Sequence, residues 1–153
     1  MTAPSSTLRI AGYAALFDRA DGVRDTIRPG AFRRTLAERR APFPLYWQHR
    51  PDQRIGWVET AGEDERGLRI VAQIDNPDGR AARLLRERAV NGLSFGYRAR
   101  AYRHTIAGRE LADIELFEVS VVTHPLQNDA RIHFFSTPSD AGREPSGSVD
   151  FAA

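Results

Sequence analysis

The chain has 153 residues, 41% of them hydrophobic and 27% charged, which is the usage of one ordinary globular domain. It contains neither cysteine nor lysine, so all 22 basic residues are arginine, set against 20 acidic residues for a net charge of +2. Disulfide staples, thiol nucleophiles, thiolate metal sites, lysine Schiff bases and P-loop phosphate binding are excluded on that ground.

The arginines read mainly as solvated faces, and with so small a net charge no specific nucleic-acid partner is expected. No apolar run approaches the roughly 20 residues of a membrane-spanning helix, and residues 1–7 lack the basic and apolar parts of a secretory signal. An intracellular protein without a membrane partner is expected.

In chain order, residues 7–17 (TLRIAGYAALF) have strand composition, as one bent strand or two short ones, and 18–22 supply a turn. Residues 23–28 alternate as a strand until Pro29-Gly30, and 31–39 predict a short helix burying Phe32, Leu36 and Thr35. Residues 45–49 and 53–61 form a predicted hairpin, with its turn at Arg50-Pro51-Asp52 and His49 at its rim. Leu68, Ile70, Ala72 and Ile74 mark a half-buried strand. A second helix starts near Asn76-Pro77-Asp78, carries Ala81, Leu84, Leu85 and Arg88 at helical spacing, and stops at Asn91-Gly92. Residues 93–103 and 111–124 return to strand composition around a turn at Gly108.

The sum is a β-rich α+β chain: a single-domain, mostly antiparallel β-barrel of about seven strands with two or more helices. Residues 8–135 form the domain, and 1–7 and 136–153 are expected to be flexible. An exposed edge near Trp57 is a candidate for self-association.

The chemistry must come from a hydroxyl with an adjacent base. Of the serines only Ser94 and Ser120 lie in structured segments, and the histidines are His49, His104, His124 and His133. Ser94 sits between Gly92 and Gly96, a setting that suits an exposed hydroxyl but equally an ordinary strand serine after a helix stop. Glu118, inside Leu116-Phe117-Glu118-Val119-Ser120-Val121-Val122, needs a partner if buried. That partner is an imidazolium on His49 or, on the plainer reading, solvent or an arginine. His124, before Pro125, is the rival orienting residue for the base. A metal site built from His49, His124 and Glu118 has no short ligand motif, so no metal and no cofactor is expected.

GYAALF (12–17), IRPGAF (27–32), LYWQH (45–49), NGLSFGY (91–97) and ELFEVSVVTHP (115–125) together resemble the prohead proteases of tailed phages and phage-derived gene transfer agents, over about residues 8–132. That family is similar in fold to the herpesvirus maturation proteases. The resemblance implies a serine endopeptidase with Ser94 as nucleophile, His49 as general base and Glu118 as third member. His124 is the alternative third member, because the herpesvirus enzymes use a histidine there. It also implies a substrate, the scaffolding segment of the major capsid protein, cut inside an assembling procapsid in the producing cell, together with self-cleavage. The family's Pro-x-Asn-x-x-Ala pattern is met by residues 125–130, with Asn128 one position late. The oxyanion donors are expected from Gly96 or from this loop, which includes Gln127 and Asn128. The competing reading is a β-barrel capsid-assembly or binding module whose catalytic residues are vestigial.

Overall fold

The computed structural model describes residues 8–136. Its elements run β1 (Leu8–Leu16), β2 (Asp25–Ile27), α1 (Arg33–Glu38), β3 (Phe43–Trp47), β4 (Arg50–Glu63), β5 (Gly67–Ile74), α2 (Arg80–Arg86), β6 (Gly92–Thr105), β7 (Gly108–Val122) and β8 (Ile132–Ser136). All the strands join one sheet in the order β2-β7-β3-β4-β5-β1-β8, with β6 also paired to β7. Apart from the β2–β7 and β3–β7 pairs, neighbours run antiparallel. The sheet curls into a half-barrel, which is the β-rich architecture expected.

Period-two alternation drives this fold. Leu68, Ile70, Ala72 and Ile74 of β5 are all buried in the core cluster, with Leu8 and Ile10 of β1. On β7 the alternation changes phase. Ile114 and Leu116 face the core and so do Val119 and Val121, because the pairing with β6 slips between Gly96–Glu118 and Tyr97–Leu116. Phe117 is the extra residue of this β-bulge and is 47% exposed. Bulges re-aim the side chains beside them.

Several boundaries differ from the sequence reading. The β3–β4 turn lies at Gln48-His49, between the paired Trp47 and Arg50, and not at Arg50-Pro51-Asp52, which begin β4. Proline at residue 51 suggested a turn, but at the start of a strand it costs no essential ladder bond. Both helices are shorter than expected, six and seven residues; α2 buries Leu85 and packs Leu84 against the core as expected, but buries Ala82 in place of Ala81. Arg88, assigned to that helix, has φ +57° and lies beyond its end. β8 is an additional strand paired with β1, and its last residue, Ser136, had been assigned to the tail. The rest of the expected flexible termini, 1–7 and 137–153, falls outside the described residues. Gly108 opens β7 at φ +140° after the two-residue turn, as its predicted turn role requires.

Many arginines pair with acids at the surface, as in Arg34–Glu38 and Arg103–Glu110. Trp57 is 39% exposed and carries the Arg54 guanidinium 4.3 Å from its ring centre. No helix among the described residues is long and apolar enough to cross a membrane.

The short parallel strand β2 is secured by one buried charge. Asp25, 2% exposed, accepts two bonds of 2.8 Å from the Arg109 guanidinium and one of 2.6 Å from the Tyr97 hydroxyl. The Arg109 bond first, and the Tyr97 bond after it, hold the Asp25 carboxyl below its usual value of 3.8, against burial, which acts the other way. A depressed carboxylate pKa contributes stability that is present above the unfolded value and is lost as pH falls through the folded one. Acid unfolding of the wild type is therefore expected to draw on this group below about pH 3.8. Asp25→Asn should flatten that part of the stability–pH profile and lower stability near neutral pH by about 2 to 4 kcal/mol, read by urea denaturation. A loss under about 0.5 kcal/mol would show that the cluster is not needed to hold β2.

Candidate active site

β3 runs parallel to β7, pairing Leu45 with Val119, Tyr46 with Ser120 and Trp47 with Val121. The residues just past β3 are thereby carried over the end of β7. Gln48 and His49 form the whole connection to β4, and both have positive φ, +52° and +60°. This is the dihedral pattern of a tight hairpin turn in positions usually taken by asparagine and glycine, and such backbone typically costs about 1 to 3 kcal/mol per residue.

The surrounding structure over-determines the bend. The Gln48 N–H donates to the Val121 carbonyl (2.9 Å), its side-chain amide donates to Thr123 Oγ1 (2.6 Å), and the Thr123 N–H donates back to its Oε1 (3.1 Å).

The result is a polar constellation on the face of β7 opposite the core. His49 Nδ1 lies 2.6 Å from Glu118 Oε1, with the imidazole 42% and the carboxylate 11% exposed. The other carboxylate oxygen, Oε2, accepts from the Ser120 hydroxyl at 2.5 Å, and that same hydroxyl accepts the His49 backbone N–H at 3.2 Å. Ser94 is the cross-strand partner of Ser120, and Gly96 the partner of Glu118, so all four share one face of the β6–β7 ribbon. Ser94 is 4% exposed.

His49 and Glu118 are thus in direct contact, and Ser94 is on the adjacent strand beside them. Among the described residues no hydrogen bond joins Ser94 to His49. His124 is exposed and makes no hydrogen bond among the described residues, so it is Glu118 that engages the His49 ring.

The remaining candidates have structural partners. Gln127 is 7% exposed, and its amide is locked to β1: Oε1 accepts the Leu16 N–H (2.6 Å), and Nε2 donates to the carbonyls of Leu16 (2.9 Å) and Arg19 (3.4 Å). Asn128 accepts from Arg131 through both its carbonyl (2.7 Å) and its Oδ1 (3.1 Å). Gly96 serves the carboxylate by having no side chain, since a Cβ there would come within 2.4 Å of Glu118 Oε1. Ser120 and Gln48 were missed as site residues. Glu118 and Ser120 at spacing i, i+2 on a strand do share a face, which was a legible hint, whereas nothing in the sequence pointed to Gln48.

The fold resembles that of viral proteases. A Kaposi's sarcoma-associated herpesvirus protease, in complex with a hexapeptide phosphonate inhibitor, matches with a TM-score of 0.60 at 13% identity, over 85% of this chain and 65% of that one. The varicella-zoster virus protease matches with a TM-score of 0.57 at 19% identity, over 85% and 64%. At these identities the likeness is one of fold. Residues 2–143 match the caudovirus prohead serine proteases, and the chain belongs to that family.

Among its relatives, the prohead protease of Enterobacteria phage HK97 is 32% identical over 128 residues, covering 79% of this chain and 57% of the relative. The capsid polyprotein of Pseudomonas phage PAJU2 is 28% identical over 123 residues, covering 73% and 18%. The chain thus spans little over half of one curated relative and under a fifth of the other.

The space at Gly96 is directly testable. Gly96→Ala should drive Glu118 Oε1 from His49 Nδ1, opening their 2.6 Å contact beyond hydrogen-bonding distance in a crystal structure of the variant. An unchanged contact would show that the strands, and not the missing side chain, make the room.

Proposed function

We propose that this chain is a serine endopeptidase that cuts the scaffolding segment of the major capsid protein during prohead maturation, with Ser94 as nucleophile, His49 as general base and Glu118 as the residue that orients and stabilises the base. The observation that carries the reading is the 2.6 Å contact of Glu118 with His49 Nδ1. With Nδ1 held by a carboxylate, the proton stays on that nitrogen and Nε2 is left as the basic one for a serine hydroxyl. Ser94 is the hydroxyl on the neighbouring strand of the same face that has no carboxylate partner among the described residues, whereas Ser120 is bonded to Glu118.

In the chemistry that follows, Ser94 Oγ attacks the peptide carbonyl carbon as its proton passes to His49 Nε2, and Glu118 stabilises the imidazolium so formed. The tetrahedral intermediate collapses with cleavage of the C–N bond, and His49 returns the proton to the departing amine. Water then hydrolyses the acyl-enzyme by the same route.

Backbone N–H groups of the 125–130 loop are the proposed oxyanion donors. That loop lies against the start of β6: the Leu93 N–H donates to the Ala130 carbonyl (2.8 Å), and a Cβ on Gly92 would meet Pro125 Cδ at 2.8 Å. The capsid protein as substrate is supported by membership of the prohead protease family and by a relative that is a capsid polyprotein. The site of action is then the assembling procapsid inside the producing cell.

Co-expression with the capsid protein of the same gene cluster tests the reading. Wild type should remove a discrete segment from the capsid amino terminus, seen by intact-protein mass spectrometry, and Ser94→Ala should not. Equal capsid masses would favour the non-catalytic capsid-assembly module. Glu118→Gln should reduce kcat on the order of 10⁴-fold, the loss typical when a triad carboxylate becomes an amide. Self-cleavage near the end of the domain or beyond it is expected on prolonged incubation, and a fragment pattern identical to that of Ser94→Ala would rule it out.

A further inference from the structure

We propose that Ser120 is a positioning residue for the base: its hydroxyl locks the Glu118 carboxylate and the His49 backbone into one closed hydrogen-bonded ring. This rests on the protease reading for its consequence but not for its geometry.

The proton directions in the ring are forced. A backbone N–H can only donate, so Ser120 Oγ is the acceptor in its 3.2 Å contact with His49 N. An ionised carboxylate can only accept, so the single Ser120 proton points at Glu118 Oε2, 2.5 Å away. Glu118 Oε1 takes the His49 ring at 2.6 Å and closes the ring of contacts back onto the same histidine.

Three effects follow. The last torsion of a glutamate is broad and nearly two-fold, so a carboxylate held through one oxygen can swing; with one partner on each oxygen it cannot. The His49 backbone, at φ +60°, sits in a region that residues other than glycine seldom occupy, and the bond to Ser120 helps to hold it there. With ring and backbone both anchored, Nε2 has one direction in which to point.

The same facts separate the two serines of the cross-strand pair. Both are buried, Ser120 at 0% and Ser94 at 4% exposed, and what distinguishes them is that Ser120 gives its proton to the Glu118 carboxylate. Among the described residues Ser94 gives its proton to no carboxylate.

The test separates the hydroxyl from its volume. Ser120→Thr keeps the hydroxyl, Ser120→Val has the shape of the threonine without it, and Ser120→Ala removes it with no added bulk. Hydrogen bonds to charged groups correspond to about a ten- to hundredfold rate effect. Ser120→Ala and Ser120→Val should lower kcat by about that factor, with KM changed less than about twofold, on a peptide spanning the capsid cut. Ser120→Thr should keep most of the wild-type kcat.

The second readout needs no activity. In a Ser94→Ala background, the His49 Nδ1 proton bonded to a carboxylate should give a far-downfield NMR signal, and adding Ser120→Ala should broaden or abolish it. Loss of that signal supports the assignment even if the wild type cleaves nothing, in which case the protease reading alone fails. An unchanged signal and kcat in Ser120→Ala would overturn it, as would equal losses in the threonine and valine variants with alanine unaffected. If the β-branched variants do not fold, Ser120→Ala with the proton signal decides.

Discussion

Strand β7 is paired along both edges, to β6 on one side and to β2 and β3 on the other, and the positions of His49, Ser94, Glu118 and Ser120 follow from it. Both of its edges carry ladder pairs, so its side-chain phase is set by its neighbours. The bulge at Phe117 then shifts that phase by one residue. Without the shift, the alternation that buries Ile114 and Leu116 would carry Glu118 and Ser120 inward as well. With it, Val119 and Val121 take the core positions, and the two polar residues appear on the face beneath the Gln48-His49 bend.

A nearly buried carboxylate is destabilising unless each of its oxygens finds a donor. The molecule meets that demand twice, in different ways. Asp25 receives a permanent cation and a phenol, Arg109 and Tyr97, a combination suited to holding a strand in place. Glu118 receives a histidine and a serine, and the histidine is 42% exposed. The first cluster is closed off within the fold; the second leaves an imidazole at the surface.

The bend that carries His49 is strained backbone held by its surroundings. Gln48 is bonded through both its main chain and its side-chain amide to Val121 and Thr123, the end of the strand that holds Glu118 and Ser120. The His49 backbone, the Glu118 carboxylate and the Ser120 hydroxyl are therefore all referenced to one strand.

Much of this was legible in the residues themselves. The alternation of Leu68 to Ile74, the turn at Gly108 and the strand composition around Ser94 and Glu118 follow from local chemistry, because period-two burial and glycine's backbone freedom act over a few residues. So did the need of Glu118 for a partner, since a carboxylate among Leu116, Val119 and Val121 cannot be left bare. Which partner it has was decided by the parallel pairing of β3 with β7, a contact between segments some 70 residues apart that carries no local signature. The same long-range pairing moved the hairpin turn from Arg50-Pro51-Asp52 to Gln48-His49, against the preferences of those residues, and set Ser120 under the histidine. Composition and short-range pattern dictated the strands and the types of group available, whereas strand order, register and one bulge determined which of those groups meet, because those depend on the burial of the whole sheet at once.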